Sequence, residues 1–263
     1  MRRGNGLLML FFAALPVAAG GCATELSPEA KQQLAVGKAA YETGDDRQAV
    51  DTLDRFLEAH GDAREAAQAH YYRGLARYRM ERYGPARADL AEALDRARDD
   101  ELRLFARIAL ADLAYDTGDM STARERYEQA LDAIEPGKAP ADHVHYRLGR
   151  VLQRQGRWDD AELHFRRVVH YFPAGELARR AERLAPSRAW TVQAGAFESE
   201  ANARKAAELL QSAGLPTNVT PSLQDGNLMF RVTVGRYNSY EQARAMLPDV
   251  RGRRADAFIT TLR

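Results

Sequence analysis

The side chains with chemical reach are few: six histidines, one cysteine and several adjacent carboxylates. His143 and His145 are two apart, so on a helix they point in different directions and cannot chelate one ion together. His164 and His170 are six apart and do no better, while His60 and His70 stand isolated in the sequence. Cys22 is the single thiol, which excludes a disulfide framework and a cysteine-based structural zinc site. Asp45–Asp46 and Asp99–Asp100 fall at turn positions, where carboxylates cap helices or meet solvent. No Ser–His–Asp elbow, phosphate loop or catalytic carboxylate pair emerges, so the sequence predicts no enzyme, no metal and no cofactor. What remains is binding chemistry, and the organisation of the chain says where it lies.

The chain has 263 residues, 45% of them hydrophobic, enough for one or two domains with real cores. Its 38 Lys+Arg against 37 Asp+Glu lack the basic excess of a nucleic-acid binder. Residues 1–21 carry Arg2 and Arg3, then an apolar run from Leu7 to Ala19. That run is shorter than the ~20 residues a spanning helix needs and has the layout of a secretory signal. Cys22 follows Gly20 and Gly21 at its end. The segment resembles a bacterial lipoprotein signal, which implies lipidation of Cys22; plain cleavage after Ala19 would instead leave a free thiol. Several acyl chains would anchor strongly, each buried CH₂ contributing ~0.8 kcal/mol. Ala23 stands where an Asp would suggest inner-membrane retention, so the resemblance to Gram-negative lipoproteins implies the outer membrane. Residues 22–29 form a short tether, of which 23–29 reach ~24 Å when extended.

From residue 30 the chain repeats itself. Ala49, Ala86, Ala123 and Ala161 recur at near-constant spacing, each followed four residues later by a large side chain: Leu53, Leu90, Tyr127, Phe165. Twelve residues before each anchor is a small residue: Gly37, Gly74, Ala111, Gly149. Five before lies a turn glycine, Gly44, Gly118 or Gly156, with Glu81 the exception. Apolar positions between these marks recur at three and four, so each unit is a helix, a turn and a second helix. The small residues let the two helices cross closely.

These features resemble tetratricopeptide repeats, most fully in the fourth copy, with Leu148, Gly149, Gly156, Trp158, Ala161, Phe165 and Pro173 in register. Residues 30–185 thus form an all-α solenoid of four repeats, and 175–185 supply the capping helix such a stack requires. The surplus over ~34 residues per repeat falls near Gly61, Asp99–Asp100 and Pro136–Pro140. The resemblance implies a protein partner in the groove lined by each first helix. Tyr41, Tyr78 and Tyr115 share one repeat position that often faces that groove, where a tyrosine ladder would hold a partner; otherwise they pack between helices.

After Arg188 the pattern changes. Trp190–Phe197 alternates as a strand; 199–213 is an amphipathic helix ending at Gly214; strands 216–222 and 227–235 flank the hairpin signal Asp225-Gly226-Asn227. A second helix over 239–247 breaks at Pro248, and 257–262 closes the chain. Residues 186–263 therefore form a small α+β domain of order β-α-β-β-α-β, the split-βαβ or ferredoxin-like arrangement. This domain holds 10 Lys+Arg and 7 Asp+Glu, net +3, against 26 and 30, net −4, over 22–187. Modules of opposite sign suit different partners.

Val192-Gln193-Ala194-Gly195-Ala196-Phe197, the Asn202–Pro216 helix and turn, and Phe230-Arg231-Val232-Thr233-Val234-Gly235 resemble the SPOR domain of bacterial envelope proteins. That resemblance implies binding of peptidoglycan strands stripped of stem peptides, which accumulate at division septa. Alternation puts Val192 and Ala194, and Leu228, Phe230, Val232 and Val234, toward the helices. It leaves Thr191, Gln193, Gly195, Met229, Arg231 and Thr233 on an open face. Gln193 offers a donor and an acceptor and Arg231 five donors, suited to sugar hydroxyls, acetamides and carboxylates. Met229 stands where some family members carry Trp, a softer contact that leaves the platform without an aromatic. RNA-binding sheets of the same order stack bases on aromatics at these positions, so RNA is not the expected ligand.

The sequence thus predicts a wall-binding lipoprotein on the periplasmic face of the outer membrane, enriched at the septum, whose repeats recruit a division or wall-remodelling protein. The alternative puts the main task in the repeats, as an assembly scaffold for outer-membrane or pilus machinery with the C-terminal domain as a secondary anchor.

Overall fold

A computed structural model describes residues 25–224 and 226–262. The predicted signal segment, Cys22 and most of the tether lie outside the described residues. The repeats fold as the helix pairs α1 (Pro28–Thr43) with α2 (Asp46–His60), α3 (Ala66–Arg79) with α4 (Tyr83–Arg96), α5 (Asp100–Asp116) with α6 (Met120–Leu131), and α7 (Ala141–Arg154) with α8 (Trp158–Tyr171). The cap α9 (Glu176–Leu184) follows. Ser27, Asp45, Asp99 and Asp119 accept hydrogen bonds from first-turn backbone amides and start their helices. No helix among the described residues is long and apolar enough to cross a membrane.

Each small residue meets the large side chain sixteen positions on. A Cβ on Gly37 would lie 2.6 Å from Leu53, one on Gly74 2.9 Å from Leu90, and one on Gly149 2.7 Å from the Phe165 ring. Leu53, Leu90, Tyr127 and Phe165 are all fully buried, so this pairing closes every hairpin. The turn residues Gly44, Gly118 and Gly156 adopt φ of 88°, 88° and 78°, and Glu81, the odd residue in the series, is forced to 59°. The surplus residues lie in the connections 61–65, 97–99 and 132–140.

The C-terminal domain runs β1 (Ala189–Phe197), α10 (Glu200–Gln211), β2 (Thr217–Gln224), β3 (Asn227–Tyr237), α11 (Tyr240–Arg251) and β4 (Phe258–Leu262). The strands form an antiparallel sheet in the order β2-β3-β1-β4. Val192, Ala194, Val232 and Val234 pack on Ala203, Ala207 and Leu210 of α10 and Val250 of α11 to make its core. Contrary to the sequence reading, α11 continues through Pro248. The lost backbone bond is offset by burial of Val250 in the last turn.

The two domains are joined by more than the chain. Trp190 lies on the helix side of β1 and is 2% exposed. Its indole donates to the Gln153 carbonyl at 2.8 Å, and its ring lies 5.8 Å from Trp158 and 5.2 Å from Tyr240. Trp158 donates to Asn238 Oδ1 at 3.2 Å, and a Cβ on Gly156 would lie 2.8 Å from the Asn238 carbonyl. Arg188 pairs with Glu162 beside the linker. The helix side of the domain is thus packed on the fourth repeat, and the other face of the sheet is turned away from it.

Candidate functional site

Two irregularities in strand pairing shape the open face. Gln193 opposes Thr233, but Gly195 opposes Val232, so β1 bulges at Ala194–Gly195. Ala194 and Gly195 both lie on the helix side, where a Cβ on Gly195 would sit 3.0 Å from the Phe197 ring. Gly195 is therefore not on the open face, and Ala196, opposite Arg231, takes its place. A second irregularity lies in β3, where Trp190 opposes Tyr237 and Val192 opposes Val234. There the Thr191 hydroxyl lies 3.0 Å from the Val234 carbonyl and 2.8 Å from that of Gly235. Thr191 is fully buried and fastens this bulge, so it is not a ligand contact. Thr233 is 3% exposed, a short side chain mid-sheet between Gln193 and Asn218 in register, and it too offers no surface.

Gln193, Met229 and Arg231 are half-buried on the open face. Arg231 makes no ion pair among the described residues, and its Nε is buried without an acceptor. Phe258 opposes Gln193 across the β1–β4 pair and is 48% exposed. The platform therefore has an aromatic after all, from β4 rather than β3. Sequence alternation cannot find it, because a five-residue edge strand gains its register only by pairing with β1. Asn218 and Thr220, both exposed on β2, extend the polar row. Leu228 is not a core residue: it faces Leu223 at the hairpin tip, where the two are 54% and 79% exposed.

In the solenoid the three tyrosines bridge repeats. Tyr41 lies under the Arg79 guanidinium at 3.8 Å, and Tyr78 donates to Asp116. Tyr115 is 7% exposed, with Arg147 and Arg154 at 4.9 Å and 4.3 Å from its ring. Burial raises the pKa of Tyr41 and Tyr78, and the Asp116 carboxylate raises that of Tyr78 further. Tyr115 thus has no free face for a partner. The accessible aromatic surface lies elsewhere, in a cleft of about 470 Å³ that includes Lys38, Gln68, Tyr71, Tyr72 and Phe105.

Two polar clusters also escaped the sequence pattern. Asp89 of α4, 3% exposed, accepts from Arg73 at 2.5 Å and Arg77 at 2.8 Å, with His70 Nδ1 at 3.1 Å; both arginines also reach Asp54 of α2. Burial would raise the Asp89 pKa, but hydrogen bonds from His70 and Arg73 hold it below the usual carboxylate range. His145 of α7 and His164 of α8 meet Nδ1 to Nδ1 at 3.0 Å, one ring donating to the other, and burial lowers both pKa values to about 4. His143 Nε2 lies 3.0 Å from Asp112. Among the described residues no three His, Cys, Asp or Glu converge as a metal site.

Residues 34–101 and 106–172 each match a tetratricopeptide repeat family, and residues 186–261 match the SPOR domain family. Curated relatives include the photosystem I assembly protein Ycf3 of Synechococcus elongatus and of a second Synechococcus strain. Each is 29% identical over 142 residues, spanning 52% of this chain and 78% of the relative. Among solved structures, MamA is similar at a TM-score of 0.48 and 21% identity, over 55% of this chain and 79% of MamA. YrrB, a TPR protein with an unusual peptide-binding site, is similar at 0.47 and 17%, over 59% and 76%. Both matched families are binding modules rather than catalytic ones. The chain is a tetratricopeptide-repeat protein that ends in a SPOR domain.

Proposed function

We propose that the protein ties the outer membrane to peptidoglycan at the division septum while its repeats hold a division or wall-remodelling protein. The observation that carries this reading is the open sheet face of the SPOR domain, where Gln193 lies beside the exposed Phe258 ring and Arg231 and Met229 continue the face along β3. An aromatic face can lie on the apolar side of a sugar ring while neighbouring amide and guanidinium groups bond its hydroxyls, acetamide and carboxylate. Strands stripped of stem peptides suit a platform this shallow, because the glycan itself must reach the sheet. Lipidation at Cys22 would supply the membrane end. No chemistry beyond binding is assigned to either domain.

A fluorescent fusion lacking residues 186–263 tests the targeting half: midcell enrichment is expected to vanish, and unchanged localisation overturns it. A second reading, in which the repeats serve an assembly complex and the SPOR domain is an auxiliary anchor, draws support from the 470 Å³ aromatic cleft in repeats 1–3. Crosslinking through that cleft distinguishes the two, giving wall hydrolases or division proteins in the first case and secretin or barrel-assembly components in the second.

A further inference from the structure

Where the fourth repeat meets the SPOR domain, arginines collect, two of them without a carboxylate partner among the described residues. A cleft of about 370 Å³ is lined by Tyr146, Arg147 and Arg150 of α7, Leu177 and Arg180 of the cap, and Tyr115 beneath. Arg147, Arg150 and Arg154 recur at helical spacing on one face of α7, where like charges repel. Arg147 lies 3.4 Å from Asp112 and 3.6 Å from Asp116, and Arg180 pairs with Glu176. Arg150 and Arg154 have no carboxylate within ion-pair distance among the described residues. Arg150 is held over one aromatic ring instead, and Arg154 over two, with its Nη1 also 3.5 Å from the Tyr115 carbonyl. Arg154 lies 4.3 Å from Tyr115 and 4.8 Å from Tyr240, and Arg150 lies 5.9 Å from Trp190. The Arg154 Nε is buried with no acceptor. Tyr240 and Trp190 belong to the SPOR domain, so both arginines rest against it, Arg150 lining the cleft and Arg154 one helical turn beyond it.

The geometry points to a docking site at this junction for an acidic, extended peptide segment of the partner protein. Its carboxylates would meet Arg150 and Arg154, and an apolar side chain would lie between Tyr146 and Leu177. The proposal rests on the reading that the repeats recruit a protein, and it names that protein's recognised chemistry. Charge complementarity selects the occupant, since two arginines stacked on rings have their positions fixed and their charge uncompensated. Glycan is the poorer candidate, because Trp190 lies on the helix side of the sheet and a strand on the open face does not reach it.

The test uses the chain 22–263 and a fluorescein-labelled, amide-capped peptide of three Asp-Leu-Glu units, against the same peptide with Asn-Leu-Gln units. The acidic peptide is expected to bind about tenfold more tightly than the neutral one, with an advantage that shrinks as salt rises. Arg150→Gln, at a half-exposed position, is expected to weaken it several-fold with an unchanged unfolding midpoint. Arg180→Gln, further out on the cap, provides a second variant with the same expected direction. Equal affinity for the two peptides, binding of neither, or wild-type affinity in both variants overturns the proposal. Sedimentation of the same preparations with sacculi separates the readings. Wall binding that persists while the peptide arm fails leaves the glycan platform standing, and failure to sediment strikes the platform alone.

Discussion

At the scale of the residue, the open face reduces to few groups able to touch a ligand. Gln193→Ala and Phe258→Ala are each expected to weaken sacculus binding about tenfold, the loss of one ~1.4 kcal/mol contact, with an unchanged unfolding midpoint. Thr191→Val is expected to act oppositely, lowering stability because two carbonyls lose their donor while the exposed face is untouched. Sedimentation beside chemical denaturation of each variant checks both statements. Gln193, Met229 and Arg231 were legible from period-two alternation. Gly195 was not, because a bulge reverses alternation without leaving a sequence mark, and Phe258 was not, because β4 gains its register from a distant strand. Asp89 was hidden in the same way: its arginines lie on the neighbouring helix of the hairpin. Asp89→Ala leaves Arg73 and Arg77 with one carboxylate between them and is expected to cost about 3–5 kcal/mol in urea unfolding.

At the scale of the element, the repeat marks told nearly everything. A small residue, a turn glycine and a large side chain at fixed offsets specify one hairpin, and the structure uses each for close crossing, positive φ and burial. Glu81 is the informative exception. Its φ of 59° strains a residue with a Cβ, so Glu81→Gly is expected to raise the thermal midpoint, the relief of ~1–2 kcal/mol exceeding the ~0.5–1 kcal/mol entropic cost of glycine. The α7–α8 pair carries a pH dependence that no spacing announced, because His145 and His164 come from different helices. Both are lowered from 6.5 to about 4, so between those values the unfolded chain binds protons that the folded one does not. Stability therefore falls as pH drops from 6.5 toward 4. Denaturation midpoints across that window are expected to fall less steeply in His164→Asn than in the wild type.

At the scale of the whole molecule, the SPOR domain is seated on the fourth repeat through Trp158, Trp190, Asn238 and Tyr240, with its open sheet face directed away. The sequence placed the boundary near residue 186 and the change of charge across it. It could not show the seat, because Trp190 in an alternating strand reads as domain core rather than as a contact with another domain. Gly156→Ala would put a methyl 2.8 Å from the Asn238 carbonyl at a φ of 78°. It is expected to loosen the seat and make the 185–188 linker protease-sensitive while both domains stay folded. Because the seat buries Trp190, the central claim is best tested on the chain 22–263 rather than on the domain alone. The decisive measurement is its co-sedimentation with sacculi, intact against amidase-treated. More protein pelleting with treated sacculi, an excess lost in Gln193→Ala, is the predicted result. Equal pelleting with both, or with neither, contradicts recognition of denuded glycan by the open face.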